Sequence, residues 1–160
     1  EEALQALDEF RRREGAAIAS EMRAWCQAIQ EQVARMEEVR ARALPAFEAR
    51  LGERLAQLLV SAPVDPQRLA QEAAFLADRS DISEELTRLK VHAGELEDLL
   101  EAGTEIGKKL DFLLQEMQRE TNTVLSKAAG AGEPGLAITE LALRTRSEIE
   151  RIREQAGNLE

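Results

Sequence analysis

From residue 2 to about residue 43 the chain has no proline, and apolar residues recur every three or four positions: Ile18, Met22, Trp25, Ile29, Val33 and Met36. Leu4 and Leu7 begin a similar row, and Gly15 is its weak point. This period belongs to an α-helix rather than a strand. The intervening Ala, Glu, Arg and Gln are good helix formers. One continuous helix here is roughly 60 Å long at about 1.5 Å per residue. A compact domain does not cover a rod of that length. It needs a partner helix, in this chain or in another subunit, paired in the manner of a coiled coil.

The rest of the chain reads as further helices. Pro45 is expected to end or kink the first. A second, about 46–59, carries Phe47, Leu51, Leu55 and Leu58 on one side. Residues 61–66 form a turn in which Asp65 caps a short helix of about 66–78, with Pro66 at its first position. Asp81-Ile82-Ser83-Glu84 reads as a capping box that opens a fourth helix, which Gly103 stops. A fifth spans about 105–129. Gly130 to Gly135 is a flexible loop, and a sixth helix fills about 136–156. No segment alternates apolar and polar residues for the length of a strand. The expected fold is all-α: a long helical arm or hairpin over residues 1–78, then a three-helix C-terminal bundle over residues 79–160, with no sheet.

Composition removes several function classes. Hydrophobic residues are 44% and charged residues 32% of the 160, so a core can form. Aromatics are only 3%, which argues against a stacking platform for single-stranded nucleic acid and against a β-sandwich. The lone Cys26 forms no internal disulfide and reads as packing near Met22 and Trp25. No zinc spacing, membrane-length apolar run or signal-peptide pattern is found. The chain begins Glu-Glu without Met and reads as a piece of a longer protein. The formal net charge of −10 opposes binding nucleic acid by phosphate neutralisation alone. A nucleic-acid role therefore needs metal ions, a further basic segment or a local basic patch.

The chemistry-bearing residues sit beside the apolar stripes. On the fourth helix the stripe is Ile82, Leu86, Leu89, Ala93, Leu96 and Leu100, and Asp81, Glu85, Arg88 and His92 run along one flank. Carboxylate and imidazole one or two turns apart can share a divalent cation. They can equally be a cap (Asp81), an i,i+3 surface pair (Glu85 with Arg88) and a packed or solvated imidazole (His92). The fifth helix buries Ile106, Leu110, Leu113, Leu114, Met117, Thr121 and Val124. One flank carries Lys109, Glu116, Glu120 and Lys127; the other carries Asp111, Gln115, Asn122 and Ser126, with Arg119 near the back. Asn and Ser are poor helix formers, so an edge of amides, hydroxyl and acid is more than solubility requires. Glu116 and Glu120, four apart, can converge on one ion, or can pair with lysines on a charged face. On the last helix, Arg144, Glu148 and Arg151, and likewise Arg146, Glu150 and Arg153, read as solvated salt-bridge ladders.

The runs Asp81 to His92 and Gly107 to Lys127, with the ending from Ile138 to Glu160, resemble the C-terminal domain of the YicC-like bacterial endoribonucleases. The resemblance covers about residues 78–160; the earlier helices share the layout with weaker identity. It implies a cytoplasmic, metal-dependent endoribonuclease acting on RNA rather than DNA or membranes. It also implies a ring-like homo-oligomer of hexamer type, with an α/β N-terminal portion outside this chain.

In the mechanism that fits these residues, Glu85, His92, Glu116 and Glu120 are the expected catalytic and metal-binding residues, for Mn²⁺ or Mg²⁺. Manganese suits an imidazole ligand better. The ion would activate water and neutralise the scissile phosphate. Arg88, Lys109, Arg119 and Lys127 would hold phosphate oxygens, and Gln115 and Asn122 would bond a base or a 2′-hydroxyl. A metal-free variant would use His92 as the base on the 2′-hydroxyl. The alternative is a helical scaffold whose chemistry comes from the N-terminal portion. The isolated chain is expected to be a weak or inactive nuclease.

Overall fold

The computed structural model describes residues 2–61, 65, 67, 68, 70, 71, 74, 81–102, 107–128 and 132–157. Among these residues the fold is all-α, built on four long helices: α1 (Glu2–Ser61), α2 (Ser83–Ala102), α3 (Gly107–Ala128) and α4 (Gly132–Gly157). No helix among the described residues is long and apolar enough to cross a membrane.

The helices form a ring. α1 packs against α2 and α4, and α3 closes the far side against the same two. As α1 runs from Cys26 to Arg40, its partners run backwards from Ala93 to Asp81, so α1 and α2 are antiparallel. Likewise Arg88 meets Glu120 while Glu85 meets Lys127, so α2 and α3 are antiparallel. Gln32 on α1 accepts a 2.8 Å hydrogen bond from the fully buried Thr145 hydroxyl on α4.

The core follows the apolar period. The α2 stripe is buried in full as expected, from Ile82 through Leu100. So are the described members of the α3 stripe, Leu110, Leu113, Leu114, Met117, Thr121 and Val124; Ile106 lies outside the described residues. Met22, Ile29, Val33 and Met36 of α1 and Ile138, Ala142, Ile149 and Ile152 of α4 complete one core. Each such aliphatic side chain contributes about 1.5–3 kcal/mol by leaving water. The expected boundary at residues 78/79 falls outside the described residues, and the core draws on both sides of it.

Three expectations change. Pro45 does not end α1: the helix runs through it for 60 residues, about 90 Å at 1.5 Å per residue. Pro45 and the Ala41 carbonyl that loses its partner are on exposed residues, so water can satisfy the freed oxygen. The row begun by Leu4 and Leu7 is not covered by the described residues; Leu4, Leu7 and Phe10 are exposed. The last helix begins at Gly132 rather than residue 136, with Gly132 at φ +70° and Pro134 inside the first turn, where a missing N–H costs nothing. The side chains of Phe47, Leu51 and Leu58 lie outside the described residues, as do Pro66, Gly103 and Gly130.

Asp65 accepts a 3.0 Å bond from the Gln67 N–H, the expected cap. Asp81 does the same for Ser83 at 3.0 Å, and its carboxylate also takes the Ser83 hydroxyl and Arg40 of α1. The cap therefore also ties α2 to α1. Glu84 turns instead to Arg88, one helical turn on.

Candidate functional site

Two of the expected catalytic carboxylates lie inside the bundle. Glu85 on α2 and Glu120 on α3 are 4% and 5% exposed, on the edges of their stripes that face each other's helix. Each has a cation. Lys127 Nζ is 3.0 Å from Glu85 Oε1 and donates a second bond, 2.8 Å, to the Asp81 carbonyl. Arg88 Nη2 donates a 3.0 Å bond to Glu120 Oε2, and Nε lies 2.7 Å from Oε1 as an ion pair without hydrogen-bond alignment. Arg88 Nη2 also lies 3.7 Å from Glu85 Oε1, which joins the four residues into one charge-balanced cluster. The bonds to Glu120, and then the charges of Glu120 and Glu84, raise the Arg88 pKa above its ordinary value despite some desolvation. Glu85 Oε2 is enclosed without a hydrogen-bond partner.

The other two expected ligands lie elsewhere. His92 Nδ1 is 3.2 Å from Glu95 on its own helix. Glu116 pairs at 3.1 Å with Arg119 on α3. Among the described residues, no three His, Cys, Asp or Glu side chains stand where they could hold a metal ion together. A divalent cation at the Glu85/Glu120 edge would have to displace Arg88 and Lys127. The donor set of the described residues therefore does not fit the metal.

The amide-bearing edge of α3 is different. Gln115, Arg119, Asn122 and Ser126 project along it at i, i+4, i+7 and i+11. With Gln118, Thr123 and Arg153 of α4 they line an open cleft of about 550 Å³. Seven residues form the lining, and none is a carboxylate, although the chain carries −10 overall. Arg153 Nη1 donates a 2.6 Å bond to Gln118 Oε1 and so fixes the cleft where α4 meets α3. The Thr123 hydroxyl donates to the Arg119 carbonyl at 3.1 Å, leaving its oxygen free to accept.

Three of the six expected RNA-binding residues, Gln115, Arg119 and Asn122, thus share one cleft. Arg88 and Lys127 are committed to the buried cluster, and Lys109 is exposed outside the lining. The expectation missed Gln118 and Arg153. Arg153 stands in a sequence row with Arg146 and Glu150, but only Arg146 pairs with Glu150, at 3.8 Å. Gln118 could have been found, because it sits one turn from Gln115 and Asn122 on the same helix.

Cys26 has no place in this chemistry. Its Sγ bonds the Ala93 carbonyl at 3.2 Å in the core, and burial, helped by the charge of Glu97, pushes the thiol up to about 12.

Bundle and cleft together define an all-α module with a polar cleft whose lining carries no carboxylate. Residues 33–160 match the family described as endoribonuclease YicC-like, C-terminal, and the chain belongs to that family. It is 38% identical over 161 residues to a probable endoribonuclease YicC of Clostridioides difficile (strain 630), covering 100% of this chain and 53% of that protein. It is 44% identical over 110 residues to a probable endoribonuclease YicC of Haemophilus influenzae, covering 68% of this chain and 37% of that protein. The chain thus spans about half, or less, of the length of these relatives.

Proposed function

We propose that this chain is the C-terminal, RNA-holding part of an endoribonuclease that hydrolyses RNA phosphodiester bonds. The carrying observation is the cleft: two arginines, three amides and two hydroxyls with no carboxylate among them, on a chain of net charge −10. Guanidinium groups bind phosphate, and amides and hydroxyls bond 2′-hydroxyls and base edges. The lining contains no aromatic ring, so backbone and sugar contacts dominate over stacking.

Among the expected catalytic residues, Glu116 is the one tied to the cleft, through Arg119. Its side chain is 25% exposed, against 5% for Glu85 and 7% for Glu120. When a phosphate draws Arg119 away, Glu116 becomes an unpaired carboxylate beside the RNA, suited to accept a proton from water or a 2′-hydroxyl. Glu85 and Glu120 then act by holding α2 against α3. Metal assistance belongs to the whole protein, with donors from its remaining half or from a second copy.

The test is RNA binding and cleavage by the full-length protein. Arg119→Ala and Asn122→Ala are each expected to weaken RNA binding about tenfold, roughly 1.4 kcal/mol. Arg144→Ala, whose partner is Glu140 outside the cleft, is expected to leave it unchanged. Cleft variants that bind like the wild type would refute the reading. Full cleavage in excess EDTA would remove metal assistance from the scheme.

A second reading, that the chain also assembles copies of itself, rests on α1. Leu4, Leu7 and Phe10 are 66%, 47% and 60% exposed on a helix whose buried residues begin only at Met22. A second copy is the proposed cover, in keeping with a ring-like oligomer. Leu7→Glu with Phe10→Glu is expected to lower the mass measured by light scattering; an unchanged mass refutes it.

A further inference from the structure

Arg153 differs from the other half-buried arginines among the described residues. Arg40, Arg88 and Arg146 each face a carboxylate at 3.8 Å or less. Arg153 forms no such pair among the described residues. Its partner is the neutral Gln118 side chain at 2.6 Å, and its Nη2 is enclosed without an acceptor. A positive charge that is held in place, partly desolvated and uncompensated needs an anion more than a solvated one does. It lines the same cleft as Arg119, whose own charge is offset by Glu116 at 3.1 Å. Arg153 therefore supplies most of the cleft's unbalanced positive charge.

We infer that Arg153 is a phosphate-holding residue: its guanidinium takes one non-bridging oxygen of an RNA phosphodiester, and Gln118 is the positioning residue that orients it. The inference rests on the reading that RNA occupies this cleft. The geometry suits the role. Gln118 accepts through Oε1, so its own NH₂ group remains to donate. A guanidinium anchored at Nη1 keeps its plane fixed, and with Nη2 enclosed it meets the phosphate through a remaining N–H and its full charge. Because the site sits where α3 meets α4, the phosphate would bridge the two helices and add to their packing.

Removing Arg153 should cost more of the salt dependence than removing Arg119, since Glu116 already balances Arg119. The experiment measures binding of a fluorescein-labelled RNA oligonucleotide to the full-length protein by anisotropy, across about 50–200 mM KCl. Arg153→Gln is expected to weaken binding about tenfold at low salt. It should also flatten the slope of log K against log salt by roughly 0.7–0.9, one phosphate contact. Arg153→Lys should keep the slope and lose part of the affinity, because the charge stays and the fixed plane held by Gln118 goes. Gln118→Ala should do the same through a loosened guanidinium. These two variants carry the test if Arg153→Gln fails to fold by circular dichroism. Wild-type affinity and slope in Arg153→Gln, or wild-type affinity in both Arg153→Lys and Gln118→Ala, overturn the inference. If Arg119→Ala and Asn122→Ala also bind like the wild type, the cleft reading itself fails. If those two weaken binding while Arg153 variants do not, the cleft stands and only Arg153's role falls.

Discussion

The buried cluster of Glu85, Lys127, Arg88 and Glu120 makes a quantitative claim. The Glu85 side chain is 5% exposed and its close cation is Lys127 at 3.0 Å, with Arg88 more distant at 3.7 Å. Lys127→Met leaves that carboxylate enclosed with only the distant arginine. Stranding one member of a buried pair costs about 3–5 kcal/mol. The remaining Arg88 attraction, and the partial exposure of Lys127, favour the lower end, about 3 kcal/mol. For a chain of 160 residues this lowers Tm by about 6–12 °C. Adding Glu85→Gln removes the stranded charge while keeping the shape. The double variant should regain about 2 kcal/mol, since a buried pair replaced on both sides is often near neutral. Urea unfolding of the two single variants, the pair and the wild type, followed by circular dichroism, gives the coupling energy. Strict additivity, with Glu85→Gln giving no rescue, would refute the account. Lys127 would then act through its bond to the Asp81 carbonyl alone. The same cycle bears on function: rescue by a neutral residue at position 85 shows this carboxylate serving the fold.

Two further outcomes follow from local chemistry. Partial burial pushes the Asp81 carboxyl up, but bonds from Ser83 and Arg40 outweigh it and hold the group below its ordinary 3.8. A depressed carboxyl stabilises the fold above its unfolded pKa and loses that contribution as pH falls below it. Asp81→Ala should therefore cost about 1 kcal/mol at neutral pH, the worth of a helix cap. Its difference from the wild type in urea midpoint should shrink as pH drops below 3.8; a difference that grows there contradicts the assignment. Cys26, with its thiol pushed up to about 12 inside the core, should resist iodoacetamide in the native protein and react once urea unfolds it. Rapid labelling of the native protein would place Cys26 outside the core.

The stripes of α2 and α3 were readable position by position, because burial on a helix repeats with the helix period and a run such as Leu86, Leu89, Ala93 and Leu96 carries that period openly. Of the two outcomes expected of Pro45, an end or a kink, the end does not occur. The rule for proline concerns the lost N–H and the carbonyl four residues back, and whether water reaches that carbonyl is not written locally. The candidate site was half legible. Gln115 and Asn122 belong to one edge of one helix, so their joining in a cleft required only helical geometry; Arg119, read as near the back of that helix, lines the cleft with them. The fourth corner, Arg153, comes from α4, 35 residues from its partner Gln118.

By itself the sequence determined that the chain is helical, which faces of α2 and α3 are buried, and the family, since each is encoded in neighbours a few residues apart or in unbroken motifs. Only the tertiary structure decided what the edge charges do. Glu85 and Lys127 are 42 residues apart, and Arg88 and Glu120 are 32 apart. A carboxylate beside an apolar stripe can take a metal, a proton or a neighbouring helix's cation with equal local plausibility. Which one it meets depends on how α2 is rotated and registered against α3, a property of packing that no single helix contains.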